Sequence, residues 1–205
     1  MNTLDLILML SLVLIMMAVC QIVVFAILMA VICKYNKLKN IKYVQPQILT
    51  DKKILTVYYS NGGNTKNVAQ NLHSIVGGDI KEIKITEKYP NNIFKMSKLV
   101  RKQIKEGYLP KVEDIDISSY DIIFVGSPIW NFSPSLPIKS FIKNNDFENK
   151  TLIPFFTYNC GAFTKNIINK IKNTVKVKDL RKPLFMFGNG FSLTKERLID
   201  WLNNI

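Results

Sequence analysis

Hydrophobic and polar residues divide the chain into two unlike stretches. From Leu6 to Cys33 no residue carries a charge, and Ser11 and Gln21 are the main polar interruptions. That run exceeds the roughly 20 apolar residues a helix needs to cross a bilayer, and it predicts a transmembrane anchor over residues 1–35. A cleavable signal peptide fits less well. It would carry a basic start, a shorter apolar core and a small-x-small cleavage site. Met1–Asp5 has no cation, and Val19 is bulky for the residue before a lipidated Cys20. Residues 36–52 then read as a polar juxtamembrane linker containing Pro46, and residues 53–205 as one folded domain.

Within that domain the pattern alternates between strand and helix periods. The apolar runs Ile54–Tyr59, Asp121–Gly126, Leu152–Thr157 and Leu184–Phe187 have the density of strands covered on both faces. Asp79–Ile85 alternates, as an edge strand does. Between them Asn64–Val76 places Val68, Ala69, Leu72, Ile75 and Val76 on one helical face. Asn92–Glu106 is a basic helix with Ile93, Met96, Leu99, Val100 and Ile104 as its expected buried stripe. Further helices are expected over Ser133–Lys143, with proline near the first turn, over Phe163–Ile171 and over Leu193–Leu202. Five strands alternating with helices over about 150 residues predict a doubly wound α/β domain.

Charge adds a topology to this picture. All 28 Lys and Arg follow the apolar run, against 15 Asp and Glu in the chain, for a net charge of +13. Lys34, Lys37, Lys39 and Lys42 come directly after the run and only Asp5 precedes it, so the positive-inside rule places the domain in the cytoplasm. The expected location is thus the cell membrane, single-pass. The remaining cations are spread over helices and loops, without an aromatic-interleaved patch, which argues against nucleic acid. They suit a solvated basic surface, an anionic membrane or an acidic redox partner. Of three cysteines, Cys20 and Cys33 lie in the apolar run and Cys160 stands alone. With His73 the single histidine, there is neither a disulfide framework nor a metal-ligand spacing.

The candidate chemistry begins where the first strand breaks into Ser60-Asn61-Gly62-Gly63-Asn64-Thr65 ahead of a helix. A strand, a glycine loop and a helix N-terminus aim several backbone N–H groups and a positive dipole end at one point, which favours an anion. Ser60, Asn64 and Thr65 add side-chain donors, and no Lys or Arg interrupts the loop. Neither the triphosphate pattern G-x-x-x-x-G-K-[ST] nor the dinucleotide pattern G-x-G-x-x-G is present. A neutral, hydroxyl-rich loop suits a single terminal phosphate. Two further loops lie at the carboxyl ends of strands, where open α/β sheets bind ligands. Ser127–Pro134 carries Trp130, and Thr157–Phe163 carries Tyr158. Together the three loops would hold a flat heteroaromatic ring with a phosphate tail.

On these motifs the domain resembles the flavodoxin superfamily. The resemblance runs from about Lys53 to the C-terminus and rests on Tyr58-Tyr59-Ser60-Asn61-Gly62-Gly63-Asn64-Thr65, on Gly126-Ser127-Pro128-Ile129-Trp130 with Pro134 and Pro137, and on Ile153-Pro154-Phe155-Phe156-Thr157. It implies a flavodoxin-like five-stranded parallel sheet of order 2-1-3-4-5, non-covalent FMN and redox chemistry on the flavin. Carried over, Ser60, Asn61, Gly62, Gly63, Asn64 and Thr65 would cradle the phosphate. Pro128, Ile129, Trp130, Asn131 and Phe132 would line one side of the isoalloxazine, and Tyr158, Asn159, Cys160, Gly161 and Phe163 the other.

The chain departs from the family at several points. Asn131 and Phe132 replace the glycine common after the tryptophan segment, the Tyr158–Phe163 loop lacks paired glycines, and an anchor and a basic surface are added. Packing roles compete for some of these residues: Trp130 and Tyr158 also fit a core, Cys160 a plain loop position, and Asn64 and Thr65 a simple helix cap. Trp201, with Leu198 and Leu202, reads as core, and His73 as structural.

The function expected is an FMN-binding electron-transfer protein or oxidoreductase without a catalytic side chain. It would be held to lipid through residues 6–33 and exchange electrons with a redox protein, NAD(P)H or a quinone. A flavodoxin-like module that has lost its flavin is the alternative.

Overall fold

In the computed structural model, the described residues are 3–39, 41–159, 167, 169, 171, 175–188 and 194–205. The chain divides into two compact units, Met1–Ile41 and Lys42–Ile205.

The first unit is a single helix, α1 (Thr3–Lys39). Within its segment Ile7–Asn36 an 18-residue window has a mean hydropathy of 2.9, and this is the one described helix long and apolar enough to cross a membrane. Thirty residues at 1.5 Å each span about 45 Å, more than the ~30 Å of a hydrocarbon core.

The second unit is built on parallel strands: β1 (Ile54–Tyr58), β2 (Asp79–Glu82), β3 (Ile122–Trp130), β5 (Thr151–Tyr158), β6 (Asp179–Leu180) and β7 (Leu184–Phe187). Their order is β2-β1-β3-β5, after which β6 and β7 share the far edge of β5. Thr151 and Leu152 pair with β6, whereas Phe155–Tyr158 pair with β7. Arg181–Pro183 separate the two pieces, and Pro183 brings no N–H to a ladder. The fifth strand position expected from sequence is therefore occupied by a broken strand, and the 2-1-3-4-5 arrangement holds.

Both faces of the sheet are covered because β1, β3 and β5 are apolar on both. Leu55, Val57, Ile123, Val125, Leu152 and Phe156 enter one core with Val100 of α3 (Ile93–Lys105) and Ile138, Phe141 and Ile142 of α4 (Leu136–Asn144). Ile54, Tyr58, Ile122, Phe124, Ile153 and Phe155 enter the other with Val68, Ala69 and Leu72 of α2 (Asn64–Val76). Leu198, Trp201 and Leu202 of α5 (Thr194–Leu202) complete that side. Trp201 is a core residue, and its indole N–H donates to the Lys182 carbonyl at 3.0 Å.

Three expectations from sequence change. Residues 42–52 do not run free as a tether. A short 3-10 turn at Gln47–Leu49 buries Leu49 in the α2/α5 core, and Asn203 ties down Val44 and Lys42 through its amide. In α3 the expected buried stripe is cut back: Val100 is buried and Met96 and Leu99 partly so, but Ile93 and Ile104 are exposed. The stretch read as a loop after Gly126 is the largest change. There β3 continues to Trp130 and turns back through Asn131 and Phe132 into β4 (Ser133–Pro134). The φ values of +46° and +59° at the two turn residues give the two-residue hairpin geometry that matches strand twist. Pro134 is tolerated because β4 is an edge.

Candidate functional site

A cleft of about 190 Å³ opens at the carboxyl ends of β1, β3 and β5. The phosphate-loop residues Ser60, Asn61, Gly62, Asn64 and Thr65 line one part, Pro128, Ile129 and Trp130 a second, and Tyr158 and Asn159 a third. The fold thus gathers ten residues of the three loops singled out from sequence.

The loop is shaped by its own donors. The Gly63 N–H donates to Ser60 Oγ at 3.1 Å, closing a tight turn. Gly63 then sits at φ +88°, a conformation that side chains other than glycine enter at a cost. No side chain caps α2, although the first N–H groups of any helix lack partners inside it. The contrast with α3 is direct. There Asn92 accepts from the Phe94 and Lys95 amides at 3.0 and 3.1 Å. A Cβ added at Gly62 or Gly63 would meet nothing within 4 Å, so the space before the bare α2 terminus is open. Lys66 in the next turn is tied to Glu82 at 3.3 Å, and Glu82 also accepts from the Tyr58 hydroxyl at 3.1 Å. Positive potential at the loop therefore comes from backbone amides and the helix dipole.

Thr65 has a buried partner: its hydroxyl lies 2.8 Å from that of Thr157 on β5, joining the loop to the sheet. Asn64 donates to Asn159 Oδ1 at 3.2 Å across two loops.

The ring side is more heavily packed. Trp130 is only 6% exposed although it lines the cleft. It meets Tyr59 edge-on at 5.6 Å and Tyr89 at 4.5 Å, so both the core role and the lining role apply. Burial is the main cause that raises both phenols, Tyr89 to about 12 and Tyr59 further, and a neighbouring charge adds to each. They stay protonated at neutral pH and keep this wall uncharged. Tyr158 is half-buried and meets Phe187 edge-on at 5.7 Å.

Three expected contacts fall elsewhere. Gly63 shapes the loop without lining the cleft. Asn131 directs its amide away, accepting from Ser97 Oγ at 3.0 Å and donating to the Ser97 carbonyl at 3.2 Å. Phe132 is 52% exposed and is not among the lining residues. Both turn residues are occupied by the hairpin itself. Cys160, Gly161 and Phe163 lie outside the described residues.

Four lining residues were missed from sequence: Asn91, Ile93, Met96 and Thr157. Thr157 opens the third loop read from sequence but was not among the contacts expected there. The other three belong to the start of α3, which follows β2 and so begins at the same end of the sheet as the cleft. Among the described lining residues there is no carboxylate, lysine, arginine or histidine. The described residues of the site offer hydrogen bonds, a dipole and aromatic walls.

An open, uncapped helix start beside two aromatic residues, Trp130 and Tyr158, at the carboxyl edge of a 2-1-3-4-5 sheet defines an FMN-binding flavodoxin-like protein. The family model "Flavodoxin" matches residues 53–205, and the chain belongs to that family. Among solved structures it is similar to a flavoprotein from Lactobacillus acidophilus NCFM in complex with FMN. That match has 27% identity and a TM-score of 0.56, covering 65% of this chain and 93% of that one. It is also similar to a candidate flavoprotein from Bacteroides eggerthii DSM 20697, with 27% identity and a TM-score of 0.62 over 76% and 98% of the two chains. No curated protein matches.

Proposed function

We propose that this chain is an electron-transfer flavoprotein held at the cytoplasmic face of a membrane by Ile7–Asn36. The observation that carries the flavin site is the bare N-terminus of α2, opened by two glycines whose Cβ positions are empty. A monophosphate fits there because amides supply its hydrogen bonds and no fixed cation demands a polyphosphate. When bound, FMN supplies reversible electron uptake and release. The chain's own residues do the rest. Ser60, Asn64 and the first α2 amides hold the phosphate, and the Thr65–Thr157 pair fixes the loop to β5. Trp130, backed by Tyr59 and Tyr89, and Tyr158 form uncharged walls for a planar ring.

Tethering is supported by the mean hydropathy of 2.9 over an 18-residue window within Ile7–Asn36, and its orientation by the lysines that follow. A docked redox protein or NAD(P)H would be the donor, and a membrane quinone a suitable acceptor. The test is to place the full chain, loaded with FMN, in vesicles with and without a quinone and follow flavin absorbance after photoreduction. Reoxidation that depends on the quinone is expected. A chain that stays colourless with added FMN overturns the flavin reading, and a photoreduced flavin indifferent to quinone overturns that acceptor.

A further inference from the structure

The exposed side of α3 has a composition that neither the cleft nor the core explains. Lys95, Lys98, Arg101, Lys102 and Lys105 are all exposed on 13 residues. Phe94, Lys98, Arg101 and Lys105 follow one another at spacings of four, three and four, which places them on one face. Among the described residues, the only carboxylate paired with them is Glu106, 3.9 Å from Lys102. At the start of the same helix Phe94 is 82% exposed and Ile93 50% exposed. A cationic face with an apolar tip is the pattern of helices that lie in a bilayer interface, the apolar residues entering the acyl boundary and the cations meeting headgroups.

We propose that this face of α3 docks on an anionic lipid surface. The inference rests on reading Ile7–Asn36 as a span, because only residues 37–41 separate that segment from the second unit. The bilayer is then always within reach, whereas an acidic protein must be recruited. Charge complementarity holds for either occupant, but the exposed Phe94 and Ile93 favour the one with an apolar interior. The contact would bear on function. Ile93 and Met96 line the cleft, and Ser97 binds Asn131 of the hairpin that carries Trp130. Lipid contact would bring the mouth of the cleft to the interface, where a lipid-soluble electron acceptor resides.

The test uses the full chain with Phe94→Trp, in vesicles of phosphatidylcholine alone and of phosphatidylcholine with about one-third phosphatidylglycerol. The lipids carry brominated acyl chains that quench tryptophan on contact. Trp130 and Trp201 are buried and set a constant background, measured with the unsubstituted chain. Quenching of the added tryptophan is expected to rise at least twofold when phosphatidylglycerol is present. It should fall back in high salt and on adding Lys98→Glu and Arg101→Glu. Equal quenching in the two lipids overturns the proposal, as does quenching that survives both charge reversals. A face reserved for an acidic protein gives no lipid quenching at all. The span is scored separately, by flotation with phosphatidylcholine vesicles in high salt. A chain that floats there without added quenching in phosphatidylglycerol keeps the span and loses the helix contact. Failure to float overturns the span, while quenching by phosphatidylglycerol vesicles still decides the helix.

Discussion

At the end of the cleft proposed for the phosphate, Ser60–Thr65, binding capacity would reside in the backbone, whereas at the end proposed for the ring, Pro128–Trp130, it would reside in side chains already packed against one another. Gly62 and Gly63 are exposed and an added Cβ would touch nothing. Trp130, by contrast, is buried between Tyr59 and Tyr89, and its hairpin is fixed to α3 through Asn131 and Ser97. A site divided this way separates affinity from shape. Changes at the loop should act on the ligand and spare the fold. Changes at Trp130, which both lines the cleft and packs in the core, should act on both.

The largest effect expected is at Gly63. Gly63→Val places a β-branched side chain at φ +88°, where even a simple side chain costs roughly 1–2 kcal/mol, and fills space reserved for an oxyanion. FMN affinity should fall about 100-fold, some 2.7 kcal/mol. The FMN-free chain should lose only about 5 °C in Tm, since no neighbour clashes. Fluorescence titration and thermal unfolding without flavin measure the two. Unchanged affinity would end the distinction between the ends.

How much of this was readable in the residues follows from the same contrast. The phosphate loop is local: a strand, two glycines and a helix start occupy consecutive positions, so Ser60–Thr65 could be identified without the fold. The helix bounds Asn64–Val76 match the expected ones for that reason. The ring end depends on long-range packing. Asn131 and Phe132 looked like contacts because they follow Trp130. Their positive φ values instead make them a hairpin turn, a type usually marked by glycine, which neither position carries. Met96 reaches the cleft only through the placement of α3, which its place in the sequence does not signal. The segment before β1 shows the same: buried Leu49, with Tyr43 and Ile48 packed beside the same core and Asn203 bonded to Val44 and Lys42, fastens a stretch whose composition reads as a linker.

An intermediate effect tests the joint between the loop and the sheet. Thr65 and Thr157 are 1% and 3% exposed, and their hydroxyls are paired at 2.8 Å. Thr157→Val keeps the shape and leaves the Thr65 hydroxyl without this partner, at a cost of about 1–2 kcal/mol. The urea midpoint of the flavin-free chain should fall accordingly. FMN affinity should weaken only by a factor of a few, because the α2 amides are untouched. A 100-fold loss of affinity would mean that the sheet, and not the backbone of the loop, governs phosphate binding.

The smallest effect belongs to the ring wall and is read in alkali. Burial, with Tyr108 and Glu87 adding to it and the Gln103 amide opposing, pushes the Tyr89 hydroxyl up to about 12. In the unfolded chain the same group titrates near 10. Between those values the folded protein retains a proton that the unfolded chain has released, so folding is favoured less as pH rises. The stabilisation is complete below about pH 10 and is lost as pH passes through about 12. Urea midpoints measured across that window should therefore decline. Tyr58, raised to about 12 by burial first and then by Glu82, contributes to the same slope, as does Tyr59. Tyr89→Phe should remove one share of the slope and leave the rest, while FMN affinity at neutral pH stays nearly constant. If that substitution instead abolished flavin binding at neutral pH, Tyr89 would belong to the site and not to the wall behind Trp130.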